Sequence, residues 1–319
     1  MKASVIIVTF NHERYIERCL KTVFENDPFE VIVVDNGSKD KTVEKTREFP
    51  VHLIETRKNL GFSRANNLAA KKAKGKFLVF LNPDTWVERE WLKKLLNPLK
   101  DPWTVAIPTI LLYSSNVVNT IGLRLHFTGL TFTEGYGKKL NELKELPVPG
   151  GLSGACFAIR KRDFLRVGGF DDRLFTYNED GELSWRLKRR GFKIVHVPDS
   201  VVHHDYRLSV PPQKIENLER GRYVTLKKHM TSSELKKILP SLILTEVLTW
   251  GYSFLRGPKA IFAKVRGTLS GVALSVEFIR GKSPLPFLSP EIPEDQLLPV
   301  PLLKLVNSFY KWNYWRMRV

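Results

Sequence analysis

Cysteine is nearly absent. The 319 residues hold two, Cys19 and Cys156, each inside an apolar run. That is too few for a disulfide framework or a cysteine-rich zinc site, and a reducing compartment is expected. Also missing is an uninterrupted apolar stretch of spanning length. The segment 238–255 comes nearest, but Pro240 and Glu246 break it and Arg256 ends it, whereas a spanning helix needs about 20 predominantly apolar residues. The opening MKASVIIVTFNHERY carries too short an apolar run for a signal peptide, so a cytoplasmic location is expected. Acidic residues are in deficit: 33 Asp and Glu face 51 Lys and Arg, a formal charge of +18. Residues 206–319 alone hold 18 basic and 8 acidic side chains. Such a field attracts nucleic acid, anionic lipid or phosphorylated substrates without choosing among them. No nucleic-acid motif accompanies it, and nucleic acid is not expected as a partner.

The first hundred residues alternate between two textures. Apolar, β-branched runs at 4–9 (SVIIVT), 31–35 (VIVVD), 51–54 and 77–81 (FLVFL) read as parallel strands covered on both faces. Helical patterns separate them. After Asn11, an expected N-cap, Tyr15, Ile16, Cys19, Leu20, Val23 and Phe24 share one face. Further helices are expected over 40–47 and 63–73, the last ended by Gly75. The order β-α-β-α-β-α-β predicts a doubly wound α/β sheet, whose ligands bind beyond the carboxyl ends of the strands. Those ends carry the polar residues 9–11, 35–38 and 82–84.

A second block, about 102–205, holds the glycine-rich stretch 150–159 (GGLSGACFAI) and a helix from Arg162 closed by Gly168 and Gly169. The acidic turn 177–182 (YNEDGE) opens another helix, for which Gly191 is the expected C-cap. Beyond Asp205 come a basic helix at 213–229 and two interrupted apolar helices at 233–255 and 260–279. They read as amphipathic helices lying on a membrane or packing on the main domain, with a span as the weaker reading. Six prolines make 283–301 an extended connector. A last helix, 302–318, mixes Trp312, Tyr314 and Trp315 with Lys311, Arg316 and Arg318, a composition suited to a lipid headgroup layer.

The candidate chemical groups sit at turns, and each has a plainer reading. Asp35, before Asn36 and Gly37, would accept hydrogen bonds from a nucleobase or ribose, or simply form a turn. Asp84, in Asn82-Pro83-Asp84, suits a divalent cation that also grips a diphosphate, or it caps the helix that holds Trp91, Leu92 and Leu95. Glu179 and Asp180 pair carboxylates before a helix, one of which would take a proton from a hydroxyl; helix capping is the alternative. His203 and His204 end an apolar run, two imidazoles that suit a metal but do not make a site alone.

Taken together, SVIIVTFN, VIVVDNGSKD, NLGFSRANN, FLVFLNPDTWVE, the long segment from GGLSGACFAI to LKRRG, and VVHH occur in that order. This set of six motifs over about residues 1–230 resembles the family 2 glycosyltransferases, and within them the rhamnosyltransferase-like branch. The resemblance implies a GT-A-type α/β fold over 1–230, with 1–100 as the nucleotide-sugar half and 101–230 as the acceptor and catalytic half. Residues 231–319 would form a helical, membrane-associating extension. It implies donor contacts from Thr9, Phe10, Asn11, Asp35, Gly61, Arg64, Asn67, Asn82 and Asp84. Asp180 matches the family's catalytic base, and Gly154, Glu179 and Trp185 would shape the acceptor site. Asn82 stands where the family has the first acid of its Asp-x-Asp motif, so Mn²⁺ or Mg²⁺ would rest on Asp84, with His204, or alternatively His203, as a further ligand. The implied reaction is an inverting transfer from a nucleoside-diphosphate sugar, dTDP-rhamnose or a UDP-sugar favoured, to a hydroxyl of a glycan or lipid-linked glycan. An anionic membrane surface would be a partner, at the inner face of the cell membrane. A polyprenyl-phosphate sugar synthase and a basic nucleic-acid-binding or membrane-scaffold protein are the alternatives.

Overall fold

The computed structural model describes residues 1–113, 115–145, 148–206, 209–279, 285–293 and 299–318. In the first third, strands β1 (Ala3–Thr9), β2 (Glu30–Asp35), β3 (His52–Glu55) and β4 (Phe77–Leu81) alternate with helices α1 (Ile16–Phe24), α2 (Thr42–Thr46) and α3 (Gly61–Lys72). The four strands pair in parallel in the order β3-β2-β1-β4. Their apolar runs are explained by burial on both faces. Val5, Ile7 and Val79 pack with Ile16, Cys19, Leu20 and Val23 of α1; Ile6, Leu78 and Phe80 pack with Ala65, Ala69 and Ala70 of α3. Each large aliphatic buried in this way contributes about 1.5–3 kcal/mol.

One expected cap does not form. Asn11 lies in the left-handed region (φ +58°), and α1 begins only at Ile16 with no side-chain cap. Asn11 instead joins two loops: its amide donates to Ser38 Oγ at 2.8 Å and its Oδ1 accepts from the Lys39 amide at 2.8 Å. Asparagine tolerates this backbone better than most residues.

The second third adds β5 (Thr85–Val87), α4 (Trp91–Leu96), β6 (Thr104–Leu112), β7 (Val118–Thr120), β8 (Leu123–Leu125), β9 (Thr131–Thr133), β10 (Cys156–Arg160), α5 (Lys161–Arg166), α6 (Glu179–Arg189) and β11 (Lys193–His204). Among the described residues β5, β6, β7, β10 and β11 complete a nine-stranded sheet in the order β3-β2-β1-β4-β10-β6-β11-β5, with β7 beside β6, and β8 and β9 pair separately. β10 runs antiparallel between β4 and β6. β11 is parallel to β6 and antiparallel to β5. Both cysteines are free and buried.

The last third is helical: α7 (Pro212–His229), α8 (Ser232–Lys237), α9 (Leu239–Leu255), α10 (Pro258–Ala273) and α11 (Val300–Arg318). The single helix expected over 233–255 is two, because Ile238 ends α8 and Pro240 sits in the first turn of α9, where a missing N–H costs nothing. Two glycines let α10 lie close on α7: a Cβ on Gly267 would fall 2.5 Å from the Glu216 carbonyl, and one on Gly271 3.0 Å from that of Arg220. Of the expected connector, 283–284 and 294–298 lie outside the described residues. Its described part is docked: Leu288 and Ile292 are buried, and the Ser289 amide donates to the Leu125 carbonyl at 2.7 Å. Among the described residues no helix is long and apolar enough to cross a membrane.

Candidate active site

Three turns meet at the carboxyl ends of the parallel strands. The first follows β4. Asp84 is stitched to the end of β11, for the Asp205 amide donates to the Asp84 carbonyl at 3.0 Å and His204 pairs with Thr85. Strand alternation then separates the two histidines. His204 points at Asp84, its Nε2 3.2 Å from Oδ1, and its Nδ1 is held 3.0 Å from Asn119 Oδ1. His203 lies on the opposite face, stacked on Trp86 with its Nε2 3.1 Å from Glu88 Oε1. Burial pushes the Asp84 carboxyl up, but His204 and His12 beside it outweigh burial and hold it below the ordinary aspartate range.

This pair fits a divalent cation. Asp84 Oδ1 is buried, with the His204 imidazole Nε2 beside it at 3.2 Å. Asn119 would orient His204 as outer-shell groups orient metal-bound imidazoles. No cluster of three or more His, Cys, Asp or Glu able to hold a metal occurs among the described residues. Two protein ligands match ions such as Mg²⁺, which take most of their shell from phosphate and water.

The second turn carries the carboxylate pair. Tyr177 and Asn178 both adopt left-handed backbone (φ +66°), reversing the chain so that α6 starts at Glu179. Asp180 is half-buried, and its carboxylate accepts from the Gly154 amide at 3.0 Å and the Gly181 amide at 2.8 Å. Burial lifts Asp180 above the ordinary range, against the pull of those amides and of Lys214. Glu179 is held well above it by burial and by the charge of Asp180. With two amide donors Asp180 is the better anion of the pair, and Glu179 is the more readily protonated.

One dipeptide joins the first two turns. Gly154 donates its amide to Asp180, and the next residue, Ala155, accepts from the Asn82 amide at 2.9 Å. A Cβ on Gly154 would stand 3.4 Å from Asp180 Oδ2 and 3.5 Å from Glu179 Oε1, so glycine here keeps the space above the carboxylates clear.

The third turn follows β2. Asp35 is buried and its oxygens are fully used: Oδ1 accepts from Thr9 Oγ1 at 2.9 Å and from Ser38 Oγ, and Oδ2 from the amides of Gly37 and Ser38 at 3.0 and 2.8 Å. The turn-forming reading of Asp35 is the one the structure displays; a base would have to displace one of these donors. Phe10, exposed at the end of β1, offers a ring beside this turn. Gly61 is brought alongside, its carbonyl 3.3 Å from Asn36 Nδ2. It is conformationally required, with φ +80° and a would-be Cβ 2.6 Å from the Phe175 carbonyl.

Arg64 and Asn67 follow Gly61 along α3. Arg64 donates to the Asp172 carbonyl at 3.2 Å and lines a cavity of about 490 Å³ with Lys58, Arg173 and Arg220. Asn67 is a brace: it bonds the backbone of Phe170 in both directions and Asp172 Oδ1 at 2.7 Å, tying α3 to the loop after α5. Trp185 is corrected outright. It is fully buried among Leu125, Phe127, Leu226 and Tyr310, so it supports α6 from behind and offers an acceptor no surface.

Sequence reasoning missed several groups. His12, directly after Asn11, has its Nδ1 3.0 Å from the Phe10 amide; burial lowers its pKa while Asp84, Asp40 and Asp35 raise it. Its place in FNH beside two other motif residues was the available signal. Lys214, whose Nζ lies 3.4 Å from the Tyr206 hydroxyl and 5.1 Å from the Tyr177 ring, had none. Nor did Gly221, where a Cβ would fall 2.6 Å from that of Asn178: it is the notch that seats the turn before Asp180.

With this geometry in place, four likenesses carry weight. The model of glycosyl transferase family 2 matches residues 4–168. An N-acetylglucosaminyl-diphospho-decaprenol L-rhamnosyltransferase of Mycobacterium tuberculosis is 30% identical over 231 residues, covering 63% of this chain and 75% of that protein. Among solved structures, S. aureus TarS 1-349 superposes with a TM-score of 0.56 at 19% identity, covering 99% of this chain and 90% of that one. GalNAc-T7 with UDP, GalNAc and Mn²⁺ gives 0.59 at 22% identity over 72% of this chain, which spans about half (48%) of that longer one. At such identities the structures establish a shared GT-A fold.

Proposed function

We propose, from the premise that this chain belongs to glycosyl transferase family 2, that it moves a sugar from a nucleoside diphosphate to an acceptor hydroxyl with inversion at the anomeric carbon. The observation that carries this reading is the bridge from Asp180 through Gly154 and Ala155 to Asn82, which puts a proton acceptor next to the turn that holds Asp84.

In this reading the base and ribose lie between Phe10 and the Asp35 turn. Asp84 and His204 would hold Mn²⁺ or Mg²⁺, which when bound supplies positive charge to the departing diphosphate. His12 faces the same turn and adds a group that gains charge as the leaving group becomes more anionic. Asp180 takes the proton from the acceptor hydroxyl as its oxygen attacks the anomeric carbon and the bond to the diphosphate breaks on the far side. Glu179 takes up a proton more readily than Asp180, and Lys214 favours Asp180 as the anion of the pair. No enzyme nucleophile is needed, because one displacement completes the transfer.

For the donor we favour a dTDP- or UDP-sugar, rhamnose first, because the mycobacterial relative is named a rhamnosyltransferase and GalNAc-T7 was solved with UDP. For the acceptor we assign a glycan or lipid-linked glycan at the cytoplasmic face of a membrane, since that relative's name specifies a diphospho-decaprenol acceptor. Residues 1–230 would act as the catalytic unit, with 231–319 as its membrane-associating part. The test is the anomeric configuration of the product, read by proton NMR, with the pH profile of transfer. Inversion is expected, with an acid limb above the ordinary aspartate value of about 3.9. A product that retains the donor's configuration would contradict a single displacement.

A further inference from the structure

Helix α9 is inside out. Ser241, Thr245 and Ser253 are buried, and Thr249 lies on the same i, i+4 stripe. Their hydroxyls are satisfied within the protein: Thr245, Thr249 and Ser253 each donate to the carbonyl four residues before, at 2.8–2.9 Å. Ser241 also donates to Asn313 Oδ1, and the Thr245 hydroxyl meets that of Tyr310. The one charged side chain of the helix, Glu246, turns inward to Arg222 and Lys264. The opposite stripe, Leu239, Ile243, Val247 and Phe254, is exposed, between 51% and 62% of each residue. A soluble amphipathic helix does the reverse. Contacts to other elements set this orientation: Ser241 to Asn313, Thr245 to Tyr310, and Glu246 to Arg222 and Lys264.

The neighbouring helices extend this surface. α9 packs between α10 and α11. α10 exposes Phe262 and Leu269, and α11 exposes Leu305, Trp312 and Trp315. The rim is basic: Lys236 and Lys237 end α8, Arg256 and Lys259 flank the α9–α10 turn, and Arg316 lies beside Trp312. Cations around an uncharged apolar face complement a bilayer with anionic headgroups, into which the aliphatic side chains insert while the indoles sit at headgroup depth. A second copy of this chain would bring the same positive rim against itself.

We infer that the α9 face, extended by α10 and α11, inserts into the surface of an anionic bilayer. This deepens the reading of a lipid-linked acceptor and rests on it for its purpose: the enzyme would be held where such an acceptor lies.

The experiment is co-sedimentation of the full chain with vesicles of phosphatidylcholine, alone or mixed with phosphatidylglycerol. It is done at low and high salt and compared with the double variant Ile243→Ser, Val247→Ser and with Lys236→Glu, Lys237→Glu. Both pairs are exposed, so circular dichroism and donor hydrolysis in solution should be unchanged. The wild type should bind the mixed vesicles, and each pair of substitutions should weaken binding by about tenfold or more. Absence of wild-type binding, or unchanged binding by the Ile243 and Val247 variant, overturns the inference. So does a wild-type dimer without lipid that the same variant makes monomeric. Donor hydrolysis by the wild type reports separately on the transferase reading, so the two can fail independently.

Discussion

Replacing Asp180 by asparagine should lower transfer to a hydroxyl acceptor by about 10²–10⁴-fold, the usual worth of a general base, while leaving donor affinity within about threefold. Asparagine keeps the shape and can still accept from the Gly154 amide, which bonds Oδ2 at 3.0 Å. What it lacks is basicity, so the loss should fall on kcat and not on donor binding. The same variant separates the two enzyme readings. A lipid-phosphate acceptor is already ionised and surrenders no proton, so a polyprenyl-phosphate sugar synthase would tolerate the substitution with only a few-fold loss. Near-normal turnover with a hydroxyl acceptor would remove Asp180 from the role of base. Steady-state kinetics with donor binding by calorimetry makes the distinction.

The second large effect is on stability. Glu182 is completely buried two residues beyond Asp180. Its carboxylate accepts from Arg186 Nε at 3.0 Å, and it meets Lys228 Nζ at 2.5 Å and His229 Nε2 at 3.2 Å. Lys228 is shared with Asp171 at 2.7 Å, so α6, α7 and the loop after α5 are joined through these charges. Burial pushes the Glu182 carboxyl up, but Arg186, His229 and Lys228 outweigh it and hold it well below the usual range. Glu182→Ala leaves buried cations without their counter-charge and should cost about 3–5 kcal/mol, the cost of breaking a buried pair from one side. The sign with pH follows from the lowered value. The contribution is complete above the unfolded-state pKa of about 4.5 and fades as pH falls towards the folded value. Urea unfolding at about pH 7 should therefore show the full difference between wild type and variant, and unfolding at about pH 3 a smaller one. A difference below about 1 kcal/mol at neutral pH would mean that the network adds little beyond its hydrogen bonds.

The parts of the fold that were legible in the sequence are those with strong local signals. β1, β2 and β4 announce themselves as β-branched runs because burial on both faces leaves no polar position. The turns that end them were readable for the same reason, being the first polar residues after each run. What could not be read depends on which way a residue faces. His203 and His204 are chemically identical neighbours, and only the register of β11 on β5 turns one to Asp84 and the other to Trp86. Trp185 lies in the same motif as Asp180, yet α6 turns it into the core beside Leu125, Phe127 and Tyr310. For Asp35 a turn and a ligand contact both stayed open, because no sequence shows that Thr9, Gly37 and Ser38 occupy its oxygens. The polar ladder of α9 was visible at four-residue spacing, but the side of the helix that faces inward is set by Arg222, Lys264 and Tyr310, all remote in the chain.

The central claim is that the turns at Asp35, Asp84 and Asp180 form one nucleotide-sugar site. The most direct measurement is nucleoside-diphosphate release from a panel of dTDP-, UDP- and GDP-sugars with Mn²⁺, repeated in EDTA and with Asp84→Ala, alongside binding of each donor. One donor should bind and be hydrolysed slowly, with release falling by about a hundredfold or more in EDTA and in the variant. If no donor binds or turns over with any metal, the account of these three turns is wrong; if one does so equally well in EDTA and with Asp84→Ala, the assignment of the cation to Asp84 and His204 is wrong.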